Sequence, residues 1–248
     1  MIKKNKKNWK LIIIIPARLK SVRLKKKLLR NIKKVPMIVR VADNAKKLNL
    51  GEVCVATDSK QIQNLCKSYG INSLMTSEKN RSGTDRISEA YKLINKKFDL
   101  IVNLQGDLPL FNKELIEKTI DLFLDPDTEI GSAVCNLKDE ELNDKNIVKA
   151  KVCLDRSNQG FAEDFLRTIN SKKNWFHHIG LYVYRPKILE KFVRLEQTKN
   201  EFDRKLEQMR AMDNFMKIKL VKVGDNPPSV DTMYDLKKIR LLFNSNNT

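Results

Sequence analysis

The chain has 248 residues, of which 41% are hydrophobic, and this is enough for one large α/β domain with a substantial core. Its longest apolar run covers residues 11–16, far short of the ~20 residues that a membrane-spanning helix needs, so no membrane partner is expected. The formal charge of +19 favours anionic partners. No nucleic-acid-binding module accompanies that charge, so nucleic acid is only a minor alternative.

The cysteines and histidines argue against a zinc site and against a disulfide framework. The two histidines are adjacent, at His177 and His178, and the cysteines form no CxxC pair. Residues 1–10 lack the apolar core and the cleavage site of a secretory signal, which predicts a cytoplasmic protein with reduced thiols. Most cysteines are therefore expected in the core; the four are Cys54, Cys66, Cys135 and Cys153.

Apolar runs alternate with amphipathic stretches through the first half of the chain. This pattern predicts strands at residues 11–15, 52–56, 71–75 and 100–104, and helices at 37–48, 59–69 and 84–94. The repetition is typical of a Rossmann-like α/β fold, a mainly parallel sheet with helices on both faces. Right-handed crossovers would place the loops after the strands at one sheet edge, where such sheets bind ligands.

The pattern changes after about residue 128. Short strands separated by polar connections are predicted at 129–136, 150–154, 160–165 and 178–184, followed by a charged amphipathic helix at 201–215. We therefore expect one domain, residues 1–248, with a core at about 11–128 and 216–243 and an inserted small sheet at about 129–215. The core resumes with a strand at 218–223 and a helix at 233–242, and the tail 244–248 is expected to fray.

A strongly basic loop follows the first strand. Residues 18–34 hold nine basic side chains and no acidic one, whereas a solvated surface loop normally mixes the two signs. Its position directly after a buried strand predicts a phosphate site. Arginine offers a planar fork to phosphate oxygens and lysine a point charge, so Arg18, Arg23 and Lys27 are candidates to neutralise a leaving pyrophosphate.

Two acidic loops are candidates for a metal site. Asp107 follows the strand predicted at 100–104, and Asp231 precedes the last helix. Together they could hold a divalent ion that bridges phosphate oxygens, since Mg²⁺ is usually held by one or two carboxylates plus substrate. Each aspartate is equally well explained as a turn former or a helix cap. The segment 82–86, which opens a helix, likewise suits either an anion or a simple capping turn.

Eight short motifs occur in one order between residues 11 and 241. They are IPAR at 15–18 with SVRL at 21–24 and Lys27, PMI at 36–38, ATD at 56–58, SGTDR at 82–86, NLQGD at 103–107, HIGLYVYR at 178–185, LEQMR at 206–210 and VDT at 230–232. Each motif is weak alone, but the collinear set resembles the 3-deoxy-manno-octulosonate (KDO) cytidylyltransferase family.

The resemblance implies that the cytidylyl group of CTP is transferred to the anomeric hydroxyl of KDO for lipopolysaccharide biosynthesis, with Mg²⁺ as cofactor and release of pyrophosphate. It implies a nucleotide-diphospho-sugar transferase fold and a homodimer formed through the inserted sheet and the helix at 201–215. The implied nucleotide-binding residues are Arg18, Ser21, Arg23, Lys27, Ser82, Gly83, Thr84, Arg86 and Gln105. The implied metal ligands, Asp107 and Asp231, are catalytic together with Arg18 and Lys27. The implied sugar-acid pocket consists of Arg167, His178, Tyr182, Glu207 and Gln208.

The neighbouring sequence alone indicates simpler, structural roles for three of the pocket residues. His178, beside His177, reads as a structural histidine whose ring nitrogens are satisfied. Tyr182 lies in an alternating run and reads as core. Glu207 and Arg210 have the spacing of an ordinary surface pair on a helix.

The sequence departs from the family pattern at several positions. Lys25-Lys26 stands where the family has Pro-Gly, and a lysine is expected to exclude conformations with positive φ. Glu163 and Asp164 lie near the pocket expected for an anionic sugar, and Arg204 stands where Glu is common. These departures leave two alternatives open: a cytidylyltransferase for a related acid, such as amino-KDO or a nonulosonic acid, or a catalytically weakened nucleotide-binding relative.

Overall fold

The computed structural model of the chain describes residues 9–21 and 23–245. Within those residues, nine strands form one mixed sheet and two short strands form a hairpin. The strands are β1 (Leu11–Ala17), β2 (Asn31–Ile32), β3 (Val35–Pro36), β4 (Glu52–Thr57), β5 (Ser73–Met75), β6 (Leu100–Asn103), β7 (Ile130–Cys135), β8 (Lys149–Val152), β9 (Gln159–Leu166), β10 (Trp175–Tyr184) and β11 (Ile218–Lys222).

The N-terminal half of the sheet is parallel. β5, β4, β1 and β6 are neighbours in that order, and all three of their pairings are parallel. β1 is covered on both faces, which explains why its sequence is a continuous apolar run rather than an alternating one. Parallel strands end at the same sheet edge, so the basic loop after β1 and the acidic loop after β6 meet there, as predicted.

The second half of the sheet is mixed and closes on itself. β10 runs antiparallel to β6 and β7, whereas β7 and β11 are parallel to each other. β8 pairs with β9 on one side and with the first part of β10 on the other. The strands β7, β11, β9, β8 and β10 therefore form a closed ring. The small sheet predicted at about residues 129–215 is thus continuous with the main sheet, joined to it through β10.

Helices cover both faces of the sheet. They are α1 (Met37–Lys47), α2 (Lys60–Ser68), α3 (Gly83–Ile94), α4 (Lys113–Asp121), α5 (Pro186–Arg194), α6 (Lys199–Arg204), α7 (Gln208–Asp213) and α8 (Met233–Ser245). Successive residues of β1 contribute to two different cores: Ile13 and Ile15 pack with α1, α2, α4 and α8, while Ile12 and Ile14 pack with α3, α5 and α7. None of the helices in the described part of the chain combines the length and apolar character that a membrane crossing requires.

The prediction of one continuous helix at 201–215 is wrong. The chain forms two short helices, α6 and α7, and breaks between them at Lys205, where φ is 54°. Residues 244 and 245 continue α8, and the remainder of the tail predicted to fray, 246–248, lies outside the described residues.

The four cysteines are free, and three of them are buried, as predicted. Burial raises the pKa of the Cys66 thiol to about 11. Cys153 is the exposed member.

Candidate active site

Lys27, Asp107 and Asp231 come together at the edge where β1, β6 and β11 end. The Nζ of Lys27 donates to Asp107 Oδ2 at 2.6 Å and to Asp231 Oδ1 at 2.9 Å. The two acidic loops are also joined through their backbones, because the N–H of Val230 donates to the carbonyl of Asp107 at 3.0 Å. Residues separated by as many as 204 positions therefore form one charged cluster.

The charges in this cluster support one another. Burial disfavours the ammonium of Lys27, but the attraction of Asp107 and Asp231 outweighs it, so the pKa of Lys27 is raised. Arg23 adds a second cation, whose Nη2 lies 3.0 Å from Asp231 Oδ1. At neutral pH two cations thus face two carboxylates. An incoming polyphosphate would compete with the carboxylates for these cations.

A cleft of about 230 Å³ opens beside the cluster, and its walls come from the loops after β1 and β6 and from the start of α3. Its lining residues are Pro16, Arg18, Lys20, Ser21, Lys27, Leu28, Gly83, Gln105, Gly106 and Asp107. A side chain at Gly83 would approach Pro16 Cγ at 3.3 Å, and one at Gly106 would approach Leu28 Cδ2 at 3.2 Å. The two glycines therefore leave the cleft open between closely packed loops.

Five of the predicted nucleotide-binding residues line this cleft: Arg18, Ser21, Lys27, Gly83 and Gln105. Two contacts orient them. Arg18 Nη2 donates to the carbonyl of Asn80 at 2.7 Å, and Gln105 Nε2 donates to Asn103 Oδ1 at 3.2 Å. Arg23 lies beside Asp231, one of the two predicted metal ligands.

Ser82 and Thr84 have structural partners. Ser82 is the N-cap of α3: its Oγ accepts from the Asp85 N–H at 3.0 Å, and Asp85 Oδ2 accepts from the Ser82 N–H at 3.0 Å. The buried hydroxyl of Thr84 donates to Glu207 Oε2 at 2.7 Å. The capping alternative for this segment is therefore confirmed, and Thr84 joins the nucleotide side to the predicted sugar pocket.

Arg86, a predicted nucleotide-binding residue, is not among the residues that line the cleft. Its side chain is fully buried, and its guanidinium donates to Asp58 Oδ2 at 2.7 Å and to Thr76 Oγ1 at 2.5 Å. Asp58 Oδ1 in turn accepts from the N–H of Leu19 at 3.4 Å. Arg86 therefore contacts the basic loop indirectly, through Asp58, while its buried Nε has no hydrogen-bond partner among the described residues.

Three of the predicted sugar-pocket residues, Tyr182, Glu207 and Gln208, line one small cavity. Its volume is about 10 Å³, roughly the space of one water molecule, so a sugar acid requires these walls to move apart. His178 lies next to Tyr182, with ring centroids 5.4 Å apart, and its Nε2 is 2.9 Å from Ser132 Oγ. Burial lowers the pKa of His178 to about 3, so the imidazole is neutral at physiological pH.

Glu207 is a buried carboxylate with an unusual environment. Oε2 accepts from Thr84, whereas Oε1 is buried and has no hydrogen-bond partner among the described residues. Burial raises the pKa of Glu207. The pair expected between Glu207 and Arg210 is replaced by another one, because the guanidinium of Arg210 donates to Glu201 at 2.6 and 2.8 Å.

Arg167 does not line the small cavity with Tyr182. Its guanidinium donates to three backbone carbonyls, those of Lys145 at 2.8 Å, Lys205 at 3.0 Å and Arg204 at 3.3 Å. In this arrangement Arg167 connects the loop before β8 with the junction of α6 and α7.

Two residues that depart from the family pattern, Asp164 and Arg204, neutralise each other's charge. Arg204 Nη1 contacts Asp164 Oδ1 and also donates to the carbonyl of Phe165 at 3.1 Å. Glu163 is paired with Lys151 at 3.2 Å. The extra acids near the expected sugar pocket therefore carry cationic partners, and they do not argue against an anionic substrate.

The effect expected from Lys25-Lys26 on the basic loop is wrong. Lys26 adopts φ 53° and ψ 39°, the left-handed conformation that was expected to require glycine. The loop therefore forms a left-handed turn at Lys26, although no glycine is present there.

The donor set of Asp107 and Asp231 fits a hard divalent ion. The two carboxylates converge on one cation, Lys27 Nζ, and phosphates and water would supply the remaining oxygen ligands of Mg²⁺. Within residues 9–21 and 23–245, no group of three or more His, Cys, Asp or Glu side chains is placed to hold a metal ion. Any ion at this site would accordingly depend on the substrate for part of its coordination.

Comparison with known proteins agrees with this geometry. Residues 12–218 match the family model described as cytidylyltransferase. The 3-deoxy-manno-octulosonate cytidylyltransferases of Bartonella bacilliformis and Methylorubrum extorquens (strain PA1) are 39% and 38% identical to the chain, each over 94% of it and over 98% and 96% of the relative.

Solved structures agree as well. A CMP:2-keto-3-deoxy-manno-octonic acid synthetase complexed with CTP superposes with a TM-score of 0.86 at 30% identity, over 96% of this chain and 99% of the other. A 4-diphosphocytidyl-2C-methyl-D-erythritol synthase from Anaerococcus prevotii superposes with a TM-score of 0.65 at 14% identity, over 96% and 99%, which is a likeness of fold alone.

Proposed function

The chain belongs to the 3-deoxy-manno-octulosonate cytidylyltransferase family, and from that premise we propose how its cleft transfers the cytidylyl group of CTP to KDO. One observation supports the assignment of the site more strongly than the other observations do. Lys27, from the basic loop, is bonded to both acidic loops beside a cleft that the predicted nucleotide residues line. The catalytic machinery of a nucleotidyl transfer needs cations and carboxylates at one place, and this cluster supplies both.

The reaction leaves little covalent chemistry for the protein to perform. The anomeric hydroxyl of KDO attacks the α-phosphorus of CTP and pyrophosphate leaves, so catalysis consists of positioning and of stabilising negative charge. Arg18 and Lys27 in the cleft, with Arg23 beside it, bind the triphosphate. Bound to the triphosphate in this way, they would neutralise the charge of the leaving group as the bond to the α-phosphorus breaks.

Asp107 and Asp231 would hold Mg²⁺. When bound there, the ion supplies positive charge to the phosphate oxygens. The contribution of the chain is to hold the two carboxylates together, and Lys27 does this before any substrate arrives.

The sugar acid binds on the side of Tyr182, Glu207 and Gln208, next to the nucleotide cleft through the contact between Thr84 and Glu207. The neutral imidazole of His178 can donate or accept a hydrogen bond to a hydroxyl there. The pairing of Asp164 with Arg204 leaves the pocket compatible with an anionic sugar acid, and the relatives named for 3-deoxy-manno-octulosonate favour KDO over other acids as the substrate.

We further propose a homodimer in the cytoplasm that supplies CMP-KDO for lipopolysaccharide biosynthesis. Large apolar side chains are exposed in the region expected to form the dimer. Phe161 in β9, Phe202 in α6 and Phe215 after α7 are 39%, 69% and 93% exposed. Burial of such side chains against a second copy would remove apolar surface from water.

The test of the function is a pyrophosphate-release assay with purified protein, CTP, Mg²⁺ and a panel of sugar acids. We expect release with KDO. Release only with amino-KDO or a nonulosonic acid would assign the site to that acid instead. Absence of release with every acid, while a characterised relative turns over in the same assay, would reject the enzymatic function.

A further inference from the structure

Lys149, the first residue of β8, is a fully buried lysine whose hydrogen bonds go to backbone carbonyls rather than to carboxylates. Its Nζ donates to the carbonyls of Asp144 at 2.6 Å, Ile147 at 3.0 Å and Arg167 at 2.5 Å. All three donors of the ammonium are thereby satisfied. Burying an ammonium is costly, and a methionine would fill the same space at a lower desolvation cost. The position therefore calls for an explanation beyond packing.

The carbonyls that accept hydrogen bonds from Lys149 belong to two segments, the loop 144–147 and the end of β9. The loop contacts the nucleotide side of the site, because Asn146 Oδ1 accepts from Arg23 Nη1 at 3.3 Å. The other guanidinium nitrogen of Arg23 is the one that pairs with Asp231. Lys149 is thus connected to a predicted metal ligand by three successive contacts, its own with the loop, that of Asn146 with Arg23 and that of Arg23 with Asp231.

The same loop contacts the sugar side through Arg167. The guanidinium of Arg167 donates to the carbonyl of Lys145 in the loop and to that of Lys205, two residues before Glu207. The backbone of Arg167 is held by Lys149 and its side chain holds the junction of α6 and α7. Movement of the loop 144–147 would therefore be transmitted to the segment that carries Glu207.

We propose that Lys149 is a positioning residue for the sugar acid: it holds the loop 144–147 and Arg167 in the arrangement that places the Glu207 segment beside the nucleotide cleft. The inference rests on the proposed function. Lys149 does not touch substrate, since it is fully buried, and it acts through the backbone carbonyls that it binds.

The first test replaces Lys149 with methionine, which is unbranched and similar in volume but lacks the charge and the hydrogen-bond donors. We expect the KM for KDO to rise about tenfold or more, as is typical when a supporting shell is loosened. The KM for CTP should change much less, because the cleft-lining residues belong to other elements. The matched control is Lys151→Met combined with Glu163→Gln, which removes a half-exposed pair two positions along β8 and leaves no uncompensated acid near the pocket; both KM values should stay at the wild-type level.

The second test keeps the proposal falsifiable if Lys149→Met fails to fold, as judged by circular dichroism. Asn146 is exposed, so Asn146→Ala cuts the contact between the loop and Arg23 without opening the core. We expect it to raise the KM for KDO as well, and to raise the KM for CTP because Arg23 binds the triphosphate, with the melting temperature unchanged since Asn146 is exposed.

An unchanged KM for KDO in a folded Lys149→Met, or in Asn146→Ala, would overturn the inference. A uniform rise of both KM values with a lowered melting temperature would overturn it too, because that result indicates a general structural role. Failure of the wild-type protein and of the control variant with both Lys151→Met and Glu163→Gln to release pyrophosphate would instead reject the proposed function.

Discussion

At the scale of single residues, the basic loop takes its shape from lysines in conformations that glycine usually adopts. Lys26 has a φ of 53°, and Lys33 and Lys34, between β2 and β3, have φ values of 45° and 65°. A left-handed conformation costs a residue with a Cβ roughly 1–2 kcal/mol. The loop keeps its concentration of positive charge at the expense of that strain.

Lys26→Gly should therefore raise the free energy of unfolding, by up to about 1 kcal/mol, because relief of the left-handed strain exceeds the extra chain entropy of glycine. Urea denaturation measures this change. Lys25→Gly is the matched control, since it removes the same charge at a residue without positive φ and should lower stability. A loss of stability in Lys26→Gly equal to that in Lys25→Gly would contradict the strain.

Asp107→Asn and Asp231→Asn should each lower turnover by about 100-fold or more, because each removes a carboxylate proposed to hold Mg²⁺ and with it positive charge at the phosphates. The fold should persist, since both side chains are partly exposed, at 26% and 33%, and such pairs contribute at most about 1 kcal/mol. Steady-state kinetics and thermal melts measure the two effects. Retained turnover in both variants would reject the proposed metal ligands.

His178 should make the protein sensitive to mild acid. Its pKa falls from an ordinary 6.5 to about 3 on burial. Below pH 6.5 the unfolded chain therefore binds a proton at this histidine that the folded chain does not bind. The free energy of unfolding falls as the pH drops, by about 1.4 kcal/mol per pH unit at most. His178→Gln should reduce the pH dependence of the unfolding free energy between pH 6.5 and 5, whereas His177→Gln should leave that pH dependence in place. Equal slopes in both variants would contradict the assignment.

Motif order and charge predicted the cluster of Lys27, Asp107 and Asp231, because side chains after parallel strands meet at one sheet edge. The roles of Lys149 and Asn146 could not be predicted in this way. Lys149 binds backbone carbonyls, which carry no sequence signature, and its burial depends on the closure of the ring. The burial of Arg86 was not predicted either, although its partner Asp58 in the ATD motif could have suggested an ion pair.

At the scale of elements, periodicity located the strands and most helices, but it missed α4 and α5. Both carry signals: Asn112 caps α4, accepting from the Leu115 N–H at 2.9 Å, and Pro186 occupies the first turn of α5. Two other features had no local signal. The hairpin of β2 and β3 turns on two lysines, and the break between α6 and α7 is at Lys205, where no glycine marks the positive φ.

The junction of α6 and α7 depends on the buried pair of Glu201 and Arg210, which are 6% and 9% exposed. Arg210→Met should destabilise the protein by about 3 kcal/mol or more, because it leaves the carboxylate of Glu201 buried without a partner. Adding Glu201→Gln should recover most of that loss. Denaturation of the two single variants and the double variant measures the coupling, and strictly additive losses would exclude it.

At the scale of the whole molecule, the exposed phenylalanines predict self-association. Phe215→Asp should shift the protein from dimer to monomer in light scattering, since a carboxylate in an apolar interface would lose its water. Leu93→Asp is the control, because Leu93 is 54% exposed at the far end of α3 and lies outside the expected interface. A monomeric wild-type protein would reject the homodimer.

The closed ring of strands also limits how this molecule can aggregate or assemble. Unpaired strand edges are templates for the addition of a further strand from another chain. Within the described residues, β8 would end the sheet but is paired on both sides, so the free edge is left to β5, a strand of three residues. A second copy that docks against the ring must therefore do so through side chains, and a continuous sheet across two subunits is not an available form of assembly on that side.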